Sequence, residues 1–331
     1  MGVPISTFTG LAVGVLLLVG CSTEAPPEGA NPTPAPAPVT EPGTDGPSAP
    51  HSTPSATEAS PARAEFEVGR VLVTVRRLAG RIGPREATSA AYDRAAVDVA
   101  ARWRSLGYVV SEQHFTVPEG VSWGVPVPRG RTRNVVAAPV GFDPREPYVI
   151  VGAHLDTVPQ APGAEDNASG VSVLMELSRM AVVEDPTLPT VFVAFGAEEP
   201  RGSGDDWHHF GSRVYTGRMS ESERRNLVAM VSLDRVGVGA AVPICGGGVT
   251  DDGVVRDLRR AARHVGVPTV SCGVNRSSDH WSFERAGLPA ARLGSTAYAS
   301  YHSPADRPGV VQPAQLRRTG LVAWRFLTSR L

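Results

Sequence analysis

The chain has 331 residues, 41% of them apolar, and 32 basic against 33 acidic side chains leave a formal charge of −1. That length suits one large domain or two small ones, and so even a balance gives no electrostatic grip on nucleic acid or acidic membranes. All 32 basic residues are arginine, which reads as GC-rich codon usage and not as chemistry.

At the N-terminus, Leu11 to Val19 form an apolar run too short to span a bilayer as a helix. It ends in Leu18, Val19, Gly20 and Cys21, a sequence that resembles the lipobox of bacterial lipoproteins. Residues 1–20 are therefore expected to be a signal peptide and Cys21 the lipidated residue, although no Arg or Lys precedes Leu11. From 21 to 64 the chain holds 11 prolines and one sizeable apolar residue, Val39. Such a segment cannot bury enough surface to offset its ordering entropy, so a disordered tether is expected there. An exported, membrane-anchored lipoprotein follows, with the folded domain at 65–331.

Within that domain the apolar pattern alternates. Ala90 to Leu106 has helical spacing and stops at Gly107; Tyr108 to Val117 is extended, and Asn134 to Ala138 and Tyr148 to His154 are strands. Val171 to Val182 is helical, Val191 to Phe195 and Val228 to Asp234 are strands, and Asp251 to His264 is a helix. Pro268 to Gly273 and Pro289 to Leu293 are extended, and Ala314 to Leu327 closes the chain as a helix. Alternating strands and helices predict a three-layer αβα sandwich with a mostly parallel central sheet. In such sheets the site lies at the carboxyl ends of the strands.

That edge is where the polar residues collect. His154 and Asp156 follow one strand, Glu198 and Glu199 a second, and Asp234 a third. Asp166 opens the next helix, and His302 lies in a late loop. Two adjacent carboxylates at the end of a buried strand are costly unless a metal ion or a shared proton offsets them. Imidazole and carboxylate ligands together suit zinc.

HLDTV, GAEDNASG, FGAEE, SLD and YHSPAD, in this order, resemble the co-catalytic di-zinc aminopeptidase family, which includes secreted bacterial leucine-type aminopeptidases and shares its fold with glutamate carboxypeptidase II. Gly83 to Tyr108 is similar to the family's N-terminal helix and Thr132 to Ala137 to its first core strand. The resemblance implies two Zn²⁺ per chain, with His154 and Asp234 on one, Glu199 and His302 on the other, and Asp166 bridging them. It also implies Glu198 as general base and Tyr301 as stabiliser of the oxyanion. Asp156 is expected to accept the proton on the other nitrogen of His154, and Asp279 to support the site through hydrogen bonds. His280 reads as structural.

The implied substrates are peptides with a free N-terminus, acted on by a monomer that meets the membrane only through its lipid. Carboxypeptidase, dipeptidase or one-zinc glutaminyl cyclase chemistry on the same scaffold is the alternative, and a non-catalytic binding lipoprotein a remote one. Arg235 stands where the family usually has an apolar residue, so a preference for acidic N-terminal side chains enters; with Arg201 and Arg292 it also keeps recognition of a chain-terminal carboxylate open. Asp205, Asp206, His208 and His209 read as a solvated loop at the cleft mouth, and Thr296 to Tyr301 as a tight lead into His302. Cys245 and Cys272 lie on strands flanking one helix. Either a disulfide or two buried thiols fits that placement.

Overall fold

The computed structural model describes residues 63–329; the expected signal peptide, Cys21 and nearly all of the tether lie outside the described residues. Helix α1 (Val68–Val75) runs on in wider π-type turns to Ile82, and Ser89 caps α2 (Ala90–Ser105) by accepting from the Tyr92 N–H. Strand β1 (Val109–Val117) leads through the hairpin β2 (Gly120–Ser122) and β3 (Val125–Val127) into β4 (Gly130–Ala138). Then come β5 (Tyr148–His154), α3 (Gly170–Val183), β6 (Thr190–Phe195), α4 (Phe210–Arg218) and α5 (Glu221–Asn226). The chain closes with β7 (Leu227–Leu233), β8 (Val242–Gly246), α6 (Gly253–His264), β9 (Thr269–Val274), α7 (His280–Arg285), β10 (Ala290–Leu293) and α8 (Pro313–Leu327).

Eight strands form one sheet in the order β1-β4-β6-β5-β7-β10-β8-β9. The centre, β6-β5-β7-β10, is parallel as expected. The flanks are not wholly so: β1 and β4 run antiparallel to their neighbours, and β8 runs antiparallel to β10. A connection as short as the β2–β3 hairpin can join only antiparallel strands, whereas the central strands have helices between them.

Alternate residues of the central strands face opposite layers. Val149, Val151, Phe192 and Ala194 pack with α1, α2, α3, α6 and α8 on one face. Ile150, Val191, Val193 and Phe195 pack on the other face against Tyr215 and Met219, at and just past α4, and Phe283 of α7. Both faces being covered is why the central strands are apolar throughout and do not alternate with polar residues. Among the described residues no helix is long and apolar enough to cross a membrane. Strands β8 and β9 are parallel neighbours, and Cys245 and Cys272 are joined across them in a disulfide with Cα atoms 5.3 Å apart.

Candidate active site

Three adjacent parallel strands end side by side, and each delivers a charged residue. His154 is the last residue of β5, Glu198 and Glu199 follow β6, and Asp234 follows β7. Asp156 ties the first two groups together. Its carboxylate accepts from the backbone N–H of Glu198 and of Glu199, each at 3.1 Å. Asp156 also meets the second ring nitrogen of His154, as expected, but through its carbonyl oxygen (3.2 Å) and not its carboxylate (3.8 Å). The aspartate thus aims the Glu198–Glu199 backbone, and its own carbonyl orients the imidazole.

Asp166 sits in an irregular turn before α3, held from three sides. The Asp306 carboxylate accepts from the N–H of Glu165 (2.9 Å) and of Asp166 (3.1 Å). Glu165 accepts from the N–H of Gly237, and the Asn167 amide donates to Leu233 O at 2.8 Å. Gly163 begins the turn at φ +63°, where a Cβ would lie 2.3 Å from the Asp166 carbonyl oxygen. Behind the turn, the fully buried Arg85 donates to the carbonyls of Leu155 (3.0 Å), Pro162 (2.8 Å) and Gly163 (3.2 Å). Sequence reading missed both Arg85 and Asp306 as positioning groups. Asp306 does stand in the quoted motif YHSPAD, whereas an arginine ahead of a helix cap reads as an ordinary solvated charge.

The five expected ligands meet at one point. Asp166 divides its oxygens: Oδ1 lies 3.1 Å from His154 Nε2 and Oδ2 lies 3.0 Å from His302 Nε2. On the first side Asp234 Oδ1 is 3.6 Å from His154 Nε2; on the second, Glu199 Oε2 is 3.3 Å from His302 Nε2. Glu198 Oε2 stands 3.9 Å from His154 Nε2. Four non-glycine residues of the site, Ala197, His209, Arg235 and His302, have φ between 51° and 55°. Strain of this kind collects where side chains must be aimed against the backbone's preference.

The electrostatics show how strongly these groups need opposite charge. Burial pushes the Glu198 and Glu199 carboxyls up to about 8, with neighbouring carboxylates adding to it. Burial alone would lower His302, but the facing Glu199 and Asp166 carry it up to about 10. His154 Nε2, Glu199 Oε1 and Asp234 Oδ1 are buried without hydrogen-bond partners. His154, Asp166 and Glu199, and likewise His154, Glu198 and Asp234, offer ligand atoms within 4.8 Å of one another. Orphaned imidazole and carboxylate atoms at that spacing fit zinc.

A cavity of about 200 Å³ opens onto the cluster, its wall including Trp123, Arg235 and Tyr301. Larger depressions elsewhere, of about 330 and 470 Å³, contain no histidine among their lining residues. Tyr301 stacks on His302 at 3.7 Å, and Trp123, from the tip of the β2–β3 hairpin, packs edge-on against both. Trp123 went unnoticed in the sequence because an isolated tryptophan between short strands carries no pattern.

His209 must be moved from the solvated loop to the site. It is 3% exposed, and its Nε2 lies 3.2 Å from Glu198 Oε1, while Asp205 and Asp206 are exposed as expected. The backbone explains this: His209 N–H donates to Glu198 O and Phe210 N–H to Ala197 O, which folds the loop's end back onto the segment that follows β6. Asp279 is fully buried beside the site, and by strict hydrogen-bond geometry neither of its oxygens has a partner among the described residues, although Ser212 stands close enough to lower its carboxyl. His280 is structural as expected, its Nε2 lying 2.8 Å from Asn275 O. Of the three arginines, Arg201 holds Glu86 and the Pro118 and Pro128 carbonyls, and Arg292 pairs with Asp234 at 3.0 Å.

A family model described as Peptidase family M28 matches residues 134–327. The chain belongs to peptidase family M28. The matched span contains all five candidate ligands and Glu198. Aminopeptidase YwaD of Bacillus subtilis is 32% identical over 182 residues, which are 52% of this chain but only 38% of that relative. Among solved structures, a zinc aminopeptidase from Bacillus subtilis superposes with a TM-score of 0.71 at 19% identity, covering 80% of this chain and 95% of that one. A Porphyromonas gingivalis glutaminyl cyclase gives 0.68 at 23% identity, covering 79% and 98%. The two share this α/β fold with its largely parallel centre, so the fold alone does not separate peptide hydrolysis from cyclisation.

Proposed function

We propose that this M28 chain is a zinc aminopeptidase that removes the N-terminal residue of peptides, with two metal ions and Glu198 as general base. The observation that carries the reading is the division of Asp166, one oxygen towards His154 and the other towards His302. A carboxylate shared in that way between two donor sets is what a pair of ions requires. His154 and Asp234 would hold one zinc, Glu199 and His302 the other, with Asp166 between them. Bound zinc supplies Lewis acidity towards the scissile carbonyl and a lowered pKa for water.

The chain's own residues do the rest. Glu198 would take the proton from the attacking water and return it to the leaving amine. Tyr301, on the cavity wall, would donate its hydroxyl to the developing oxyanion. The α-ammonium of a free N-terminus would find on that wall the carboxylate of Glu198, which is not assigned to metal. Arg201 and Arg292 are engaged elsewhere, which weakens the carboxypeptidase alternative. Export and anchoring through Cys21 belong to the same proposal; incorporation of labelled palmitate, lost in Cys21→Ala, would support them.

The test is a pair of peptides, one N-acetylated and one C-amidated, with product analysis for pyroglutamate from N-terminal glutamine. Acetylation should abolish cleavage and amidation should spare it. The reverse result identifies a carboxypeptidase, and cyclisation without hydrolysis identifies the cyclase.

A further inference from the structure

The cavity wall has a part that neither holds metal nor supplies the base, and it is not built for an apolar side chain. Pro200 is its only aliphatic residue among those described; Leu, Ile, Val and Met are absent from it. Trp123 and Tyr301 offer aromatic edges, and His208, Ser277 and Arg235 offer polar hydrogen-bonding groups. About 200 Å³ is also below the roughly 300–1,000 Å³ usual for small-molecule pockets. There is room for one side chain, and its chemistry is chosen by polar groups.

Arg235 is the one arginine on that wall, and it is held in place. Its backbone N–H donates to Asn167 Oδ1 at 3.3 Å, its Nη2 donates to Ser295 Oγ at 3.0 Å, and its guanidinium carbon lies 4.6 Å from the Tyr301 ring centroid. Its Nη1 has no hydrogen-bond partner among the described residues, and its side chain is 12% exposed. The nearest carboxylate, Asp234, is 3.9 Å from Nε and already pairs with Arg292 at 3.0 Å. Once Asp234 also serves a metal ion, little of its charge is left for Arg235. A preorganised, nearly dry guanidinium with an unused edge favours an anion and disfavours an apolar group, which would leave it unpaired.

We infer that Arg235 sets the specificity of this site by binding a substrate carboxylate within one residue of the scissile bond, an inference that rests on the peptidase reading. Two sources share that chemistry: the side chain of an N-terminal Asp or Glu, and the terminal carboxylate of a dipeptide. Charge-assisted hydrogen bonds of this kind correspond to about tenfold or more in kcat/KM.

The zinc-loaded enzyme is tested on the anilides of Glu, Gln and Leu, and on Leu-Gly against Leu-Gly-amide. Faster cleavage of Glu-anilide than of the Gln and Leu anilides, by about tenfold, assigns the side chain; faster cleavage of Leu-Gly than of its amide assigns the dipeptide carboxylate. In Arg235→Met whichever preference exists should vanish, and in Arg235→Lys part of it should remain. Absence of both preferences, or their survival in Arg235→Met, overturns the inference. If no substrate in the panel is cleaved, the peptidase reading fails, and thermal shifts by leucinamide, glutamic acid α-amide and Leu-Gly still decide on Arg235. A larger shift with either carboxylate-bearing compound than with leucinamide that disappears in Arg235→Met supports it, and equal shifts by all three overturn it.

Discussion

Glu198 and Glu199 are consecutive in sequence but diverge in space: Glu198 faces His154 and His209, whereas Glu199 faces His302. The left-handed backbone at Ala197 (φ 55°) and the grip of Asp156 on both N–H groups produce that split. It gives a residue-level prediction. Glu198→Gln should retain zinc and lose about 10²–10⁴-fold in rate, while Glu199→Gln should lose zinc; equal zinc loss in both, by elemental analysis, would contradict the division of roles. Four of the five ligands were legible because each ends an apolar strand or opens a helix, whereas His302, in a late loop, was legible only through the motif YHSPAD. His209 was misread, and the hold of the Asp156 carboxylate on the Glu198 and Glu199 N–H groups went unseen, because both depend on loop backbone that no periodicity encodes. Asp279 yields a second prediction. Burial, reinforced by Glu198, pushes its carboxyl up to about 7. The unfolded value is about 3.9, so the folded chain keeps a proton that the unfolded chain has lost. The resulting stability is fully present below about pH 4 and is lost as pH rises to about 7. In chelator-treated protein, Asp279→Asn should therefore match the parent Tm at the acid end and exceed it near neutrality. Parallel Tm curves across that range would show that the carboxyl titrates normally.

Long apolar elements were read within a residue or two, as β5 (Tyr148–His154) and α2 (Ala90–Ser105) show. The short ones were not. α7 spans six residues of which five are buried, three of them polar or charged, His280, Ser282 and Glu284, so its sequence has no amphipathic stripe. The β2–β3 hairpin consists of three-residue strands, yet it carries Trp123 to the cavity. For the cysteines, the strand–helix–strand reading placed β8 and β9 as neighbours, and Cys245 and Cys272 are bridged where the register shifts between Ile244 and Gly246. The bridge closes a 27-residue separation, and in the chain-entropy model a loop of that size is associated with about 3–4 kcal/mol. At about 2–4 °C per kcal/mol for a domain of this size, replacing both cysteines by serine should lower Tm by roughly 6–15 °C. Zinc content should be unchanged, since no candidate ligand lies inside the loop. Two reactive thiols from residues 245 and 272 in denatured, unreduced protein would exclude the bridge.

At the scale of the molecule, the alternation of strands and helices was enough to predict the sheet's parallel centre and which edge carries the chemistry. The antiparallel flanks escaped because an isolated strand's direction is set by the length of its connections and not by its own residues. The same topology makes the metal a global staple. Its candidate ligands come from the ends of β5, β6 and β7, the turn before α3, and the loop before α8, spread from residue 154 to 302. These segments cannot converge in the unfolded chain, so metal binds the native state preferentially and its binding free energy adds to folding stability. At a free zinc concentration 100 times Kd the gain is about 2.7 kcal/mol for each independent site. Tm should rise with zinc until two equivalents are bound and fall on chelation. His302→Ala should lose the increment of one ion, while Asp166→Ala, which removes the shared carboxylate, should lose most of both. Saturation at a single equivalent, with Tm unresponsive to the second, would remove the two-ion site and favour the one-zinc cyclase arrangement on the same fold.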